Sequence, residues 1–166
     1  MTTLASLTFT QLVLFLHIAS VVVAFGVTFT YPIIVPMTIR KAPRHAAWLH
    51  EMQHQIGRMV ITPAAALVLL TGIYLAADLD VFSKWWVSVP LLAILVILGL
   101  GGAYFAPRER RMAEMAERDV AASPPDGQVA FSQEYQDLGR QVGIVGATVS
   151  VLVLVVIFIM VVGPTV

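Results

Sequence analysis

Residues Leu12–Pro36 read LVLFLHIASVVVAFGVTFTYPIIVP and contain no Asp, Glu, Lys or Arg. A run of about 25 such residues is long enough to cross the hydrocarbon core of a bilayer as a helix. Within it, His17 is the only ionisable group apart from the phenol of Tyr31. Ser20, Ala24, Thr28 and Tyr31 follow His17 at i+3, i+7, i+11 and i+14, which places them on one helical stripe. Phe15, Val22, Phe29 and Ile33 point largely elsewhere. An imidazole in hydrocarbon is costly unless it faces protein or water, so the stripe is expected to face the interior of a bundle.

The rest of the composition agrees with a membrane protein. Of 166 residues, 58% are hydrophobic and 12% charged, and the mean hydropathy is +0.86. These values lie outside the range of soluble domains. The chain has no cysteine, which excludes disulfides and thiolate chemistry, and its net charge of zero argues against a nucleic-acid partner. The N-terminal MTTLASLTFTQ lacks the basic region of a signal peptide, and the apolar run behind it is too long for a cleavable one. Leu12–Pro36 therefore reads as a retained first span.

Three more apolar runs follow, Met59–Ala77, Trp86–Ala106 and Ile144–Val162. Each is about 20 residues, the length of a transmembrane helix. Pro63 and Pro90 fall near the starts of their runs, where a missing N–H matters least. Gly72, Gly99, Gly101, Gly102, Gly143 and Gly146 are expected to let helices approach closely, with Gly99–Ala103 and Gly143–Ala147 as small-xxx-small pairs. The expected architecture is a single all-α domain over residues 1–166, an integral membrane four-helix bundle.

The charges set its orientation. Arg40, Lys41, Arg44 and Arg58 lie between spans one and two, and Arg108, Arg110, Arg111, Arg118 and Arg140 between spans three and four. Only Lys84 lies between spans two and three. By the positive-inside rule the nine clustered basic residues face the cytoplasm, so both termini are outside. Trp85, Trp86 and Tyr74 suit an aromatic belt at the outer interface. Both cytoplasmic connections read as helical extensions, with Ala46–Arg58 running into span two and Arg108–Ala122 continuing span three. Ser123-Pro124-Pro125-Asp126-Gly127 then signals a turn.

Two places could carry chemistry. His17, roughly 12 Å below the outer boundary at 1.5 Å per residue, suits an axial ligand to haem or a structural hydrogen bond. At its depth Thr71 and Tyr74 lie on span two and Met160 on span four, with no second His. A second haem ligand would then be a weak one or the His17 of another subunit across a two-fold axis. His50-Glu51-Met52-Gln53-His54 matches the H-E-x-x-H pattern of zinc hydrolases. It sits outside the membrane and has no evident third ligand, so a solvated amphipathic helix is the expected state. The two sites differ in depth by more than ~20 Å, so one metal cannot bridge them.

Leu16-His17-Ile18-Ala19, Gly26 and Tyr31-Pro32 resemble the first span of HemJ-type protoporphyrinogen oxidases. Arg58 to Ala64 with Gly72 resembles their Arg…Ile-Thr-Pro-Ala…Gly second span, and Met160 to Pro164 resembles their C-terminus, with Gly in place of Lys. The same four-helix pattern is similar to CopD-like copper-resistance membrane proteins and to a further group of bacterial integral membrane proteins. The Lys that follows the Trp of span three in the HemJ family and its Asn-Glu-x-Pro motif are both absent here. The resemblance implies haem b ligated by His17, with Ser20, Ala24 and Tyr31 lining or neighbouring its pocket, in a redox-active protein of the bacterial cytoplasmic membrane. A metal-handling accessory of CopD type and a structural subunit of a larger membrane complex are the alternatives.

Overall fold

The computed structural model describes residues 8–125 and 127–165, so the N-terminal segment ahead of Thr8 and the Asp126 of the expected turn lie outside the described residues. Among the described residues there are helices and turns and no strand. The first span runs as α1 (Phe9–Phe25), a 3₁₀ turn (Gly26–Thr30) and α2 (Tyr31–Lys41). The second is α3 (Ala46–Ile56), a π turn (Gly57–Ile61) and α4 (Thr62–Asp78). The third is α5 (Trp85–Leu100), a second π turn (Gly101–Phe105) and α6 (Ala106–Ala122). The fourth is α7 (Gln133–Val162). Four continuous helical stretches, Phe9–Lys41, Pro43–Asp78, Trp85–Ala122 and Gln133–Val162, are long and apolar enough to cross a membrane.

The irregular turns have a common cause. Pro32, Pro63 and Pro107 each stand two residues after such a turn. A proline has no N–H to donate to the carbonyl four residues back, and its ring crowds that carbonyl. The backbone answers by shifting register. Thr62 N–H bonds to Gly57 O and Ala106 N–H to Gly101 O, each one residue further back than an α-helix allows. The apolar pattern alone puts Pro63 at the start of a span. It lies instead inside a helix that continues from α3, because the π turn absorbs the clash.

The spans are arranged in chain order around the bundle. α1 packs along α4, α4 along α5, and α5 along α7. Span one meets span four chiefly at the Gly26–Thr30 turn. Mid-bundle, the core is Ala24, Phe25, Ala64, Ala65, Val68, Ile94 and Val153. Large apolar side chains such as Phe15, Leu92 and Phe158 face outward, about two thirds exposed, where lipid would cover them. At the other end, α3 packs on α6 around Ala46, Met112, Met115, Ala116 and Tyr135, which form a second core. Asp119 of α6 ties in the start of α7, accepting from Ser132 N–H at 2.8 Å and Ser132 O–H at 2.7 Å.

Near Asp78, at the end away from the basic cluster, spans one and two are pinned together. Thr8 and Gln11 form a reciprocal cap on α1, Thr10 donates to Asp78 Oδ2 at 2.7 Å, and Phe9 meets Tyr74 edge-on at 5.5 Å. The third and fourth spans touch most closely where Gly163 lies on Trp86. A Cβ added there would stand 2.3 Å from Trp86 Cβ.

Candidate functional site in the cavity between the spans

Below the Gly26–Thr30 turn the four spans part and leave a cavity of about 1450 Å³, open on one side. That exceeds the usual range for small-molecule sites. Its walls include Phe25, Ile97 and Val149 deep in the bundle, and Val35, His54, Glu109 and Arg110 towards the basic end. From Ile97 to Glu109 is twelve residues of nearly continuous helix, so the cavity is about 18 Å tall. All three irregular turns contribute to its walls, through Thr28, Gly57 and Gly102 among others. π turns recur at functional sites because they widen a helix and re-aim its side chains.

The glycines create much of this space. A Cβ added at Gly99, Gly101, Gly102 or Gly143 would meet nothing within 4 Å. The expected close helix contacts at Gly99–Ala103 and Gly143–Ala147 are therefore not formed. The spans diverge there, and Gly101, Gly102, Gly143 and Gly146 instead surface one corner of the cavity with backbone. Gly72 does behave as expected, with His17 Cε1 3.1 Å from where its Cβ would be.

At the basic end the two histidines of the H-E-x-x-H pattern are not solvated, although Glu51 between them is exposed. His50 is 2% exposed and His54 5%, because both lie on the α3 face that packs against α6. His50 uses both ring nitrogens. Nδ1 donates to Gln53 Oε1 at 2.9 Å, so Nε2 accepts from Tyr135 O–H at 2.8 Å. Burial holds this imidazole below its usual pKa, which favours that neutral form. Glu51 points away and accepts from Gln55. This arrangement leaves the pattern no free pair of imidazoles to share a zinc ion.

His54 is set differently. Its Nε2 accepts from Arg110 Nε–H at 2.9 Å, and a guanidinium can only donate. The ring proton of neutral His54 is then on Nδ1, which is buried and has no hydrogen-bond partner. Glu109 Oε2 stands 3.9 Å from Nδ1, too far for a hydrogen bond. The phenolic oxygen of Tyr31 is buried and likewise unpartnered, and Glu109 lies within electrostatic reach of it. Glu109 stands past the apolar run 86–106, among Arg108, Arg110 and Arg111. Burial pushes its carboxyl up to about 7. Tyr31 and His54 thus bring unpartnered polar atoms to one end of a largely apolar cavity, an end also lined by Gln53, Arg58, Glu109, Arg110, Arg111 and Glu114.

The sequence-predicted stripe is divided. Ser20 and Ala24 are buried on the face of α1 that packs on α4, whereas Thr28 and Tyr31 reach the cavity. His17 Nδ1 lies 2.9 Å from Thr71 Oγ1. The Thr71 hydroxyl donates to Leu67 O at 2.5 Å, so the imidazole donates through Nδ1. His17 is not part of the cavity wall, which begins two turns further along at Phe25. The imidazole rests against the α4 backbone at Gly72 through its Cε1–Nδ1 edge. Glu109 and Arg110 were not foreseen as partners of His54. The available signal was the matching i, i+3, i+4, i+7 pattern of Ala46-Leu49-His50-Gln53 and Met112-Met115-Ala116-Asp119, which pairs the two helices.

No curated protein and no solved structure matches the chain. The profile of a family described as predicted integral membrane proteins (DUF2269) matches residues 11–164. Four membrane-spanning helices and a match over nearly the whole length place the chain in that family of integral membrane proteins.

Proposed function

We propose that the protein binds one amphipathic ligand in the cavity, taken from the inner leaflet of the bacterial cytoplasmic membrane. The observation that carries this is the pairing of a tall apolar chamber with unpartnered polar groups at its basic end. A buried polar atom without a partner costs roughly 1–3 kcal/mol, and a head group that displaced the atoms now covering Tyr31 Oη and His54 Nδ1 would remove that cost. The apolar tail would lie between spans one and four, where few protein contacts close the bundle. The inner-leaflet assignment rests on the nine basic residues at this end.

Native mass spectrometry of protein released from detergent micelles tests the reading. One retained amphiphile per protomer is expected in the wild type. It should be lost in Gly102→Phe, whose ring would enter the cavity from a position where an added Cβ meets nothing. Retention by both proteins alike would refute cavity binding.

A second reading places haem b between two protomers, each contributing His17. It is favoured by the Nδ1 donation to Thr71, which leaves Nε2 with the free lone pair that an iron ligand needs. It is also the form that the resemblance to HemJ-type proteins takes once a pocket within the protomer is set aside. A Soret band absent from His17→Ala, in a protein that sediments as a dimer, is the expected result. A flat spectrum after expression with ample haem would end this reading.

A further inference from the structure

We infer that the head group this cavity selects is a neutral, planar ring bearing carbonyl oxygens, as in a lipid-tailed quinone. The inference rests on the amphiphile-binding reading and names the ligand class. The argument starts from hydrogen-bond direction. His54 Nδ1 can only donate while Arg110 holds Nε2, and it is buried and unpartnered. Tyr31 offers a buried hydroxyl whose proton has no acceptor. Two unsatisfied donors at one end of a cavity call for acceptor atoms on the ligand.

Charge narrows the choice. Arg58, Arg110 and Arg111 line this end beside Glu109 and Glu114, but Glu109 stands 3.9 Å from His54 Nδ1, so an anionic head placed on that nitrogen would meet a carboxylate whenever Glu109 is ionised. A cationic head would meet the donor protons of His54 and the Arg110 guanidinium. A neutral carbonyl meets neither penalty, and it gains a third donor when Glu109 is protonated, which its raised pKa near 7 permits at neutral pH. Shape points the same way. Gly143 leaves bare backbone in the wall near the donor end, where a flat ring can lie, and Gly101 and Gly102, about 10 Å further from Glu109 along the helix, leave room for the start of a tail. The height of about 18 Å accommodates the ring together with the first part of an alkyl or isoprenoid tail.

The test is a calorimetric titration of the detergent-purified full chain with four probes sharing a ten-carbon tail. They are a decyl-substituted benzoquinone, decanoate, decylamine and decanol. The expected result is saturable binding of the quinone, tightest of the four. Tyr31→Phe and His54→Leu should each weaken it about 5- to 10-fold, the value of one lost hydrogen bond. Neither change alters the shape of the site greatly, and leucine removes the donor that a glutamine would keep through its amide nitrogen. Decanol binding should be insensitive to Tyr31→Phe by comparison. Tighter binding of decanoate or decylamine, or quinone affinity unmoved in both variants, would overturn this inference and leave amphiphile binding intact. No saturable binding of any probe, with Gly102→Phe indistinguishable from wild type, would overturn both.

Discussion

The Glu109→Gln substitution should stabilise the protein, and by an amount that depends on pH. The ordinary carboxyl value of 4.5 is raised to about 7 in the fold, and burial is the cause. The side chain is 14% exposed, so solvent screens it little. At about 1.4 kcal/mol for each pH unit of difference, the buried carboxylate costs about 3 kcal/mol when ionised. The direction follows from proton counting. Below pH 4.5 the carboxyl is protonated in the folded and the unfolded chain, and burial costs nothing in charge. Between pH 4.5 and 7 the unfolded chain has lost its proton and the folded one retains it, so stability falls as pH rises. Above 7 the folded group ionises too and the loss is complete. Glutamine carries no charge at any pH and keeps an oxygen facing His54. Thermal unfolding in detergent at about pH 4 and about pH 8 reads the difference. The variant should match wild type at the lower pH and exceed it by about 3 kcal/mol at the higher. A stability difference that stays constant across that range would refute the buried, proton-holding Glu109.

Gly163→Ala should destabilise the outer end of the bundle by about 1–3 kcal/mol, because the new methyl would overlap Trp86 Cβ, a backbone-anchored atom that cannot swing aside; a wild-type melting temperature would contradict it. Asp119→Ala removes the acceptor of two Ser132 hydrogen bonds that anchor the start of α7. It should cost about 1–3 kcal/mol and raise proteolysis between residues 123 and 132 without changing ligand affinity, as read by limited digestion and titration. Tyr135→Phe leaves buried His50 Nε2 without its donor and should lower stability by about 1–2 kcal/mol in the same melting assay, whereas Glu51→Gln should leave it unchanged.

Much of the fold was legible because a membrane imposes strong rules. Four uncharged runs of the right length were enough to define the spans. The helical extensions at 46–58 and 108–122 were readable from their composition. What was not readable was how the extensions meet. His50 and His54 lie in a charged stretch and look solvated, yet they are buried by an α3–α6 contact between residues more than fifty positions apart. The glycines misled in a similar way. A glycine pair in a membrane helix marks either close contact or empty space, and only the paths of the neighbouring helices decide. Here Pro63 and Pro107 reshape two of those paths, so Gly101, Gly102 and Gly143 surface a cavity, while Gly72 and Gly163 make the tight contacts. The His17 stripe has the spacing of a single surface. The 3₁₀ turn at Gly26–Thr30 breaks its continuity, leaving Ser20 and Ala24 in a helix interface and Tyr31 at the cavity.

Photolabelling locates the ligand most directly. A decyl amphiphile with a diazirine near the middle of its tail would be irradiated with the purified protein, and the adducts mapped by peptide mass spectrometry. The account predicts adducts concentrated on cavity residues such as Phe25, Ile97 and Val149, suppressed by excess unlabelled probe and by Gly102→Phe. Adducts confined to the outward-facing belt of Phe15, Leu92 and Phe158, unaffected by competitor, would contradict it.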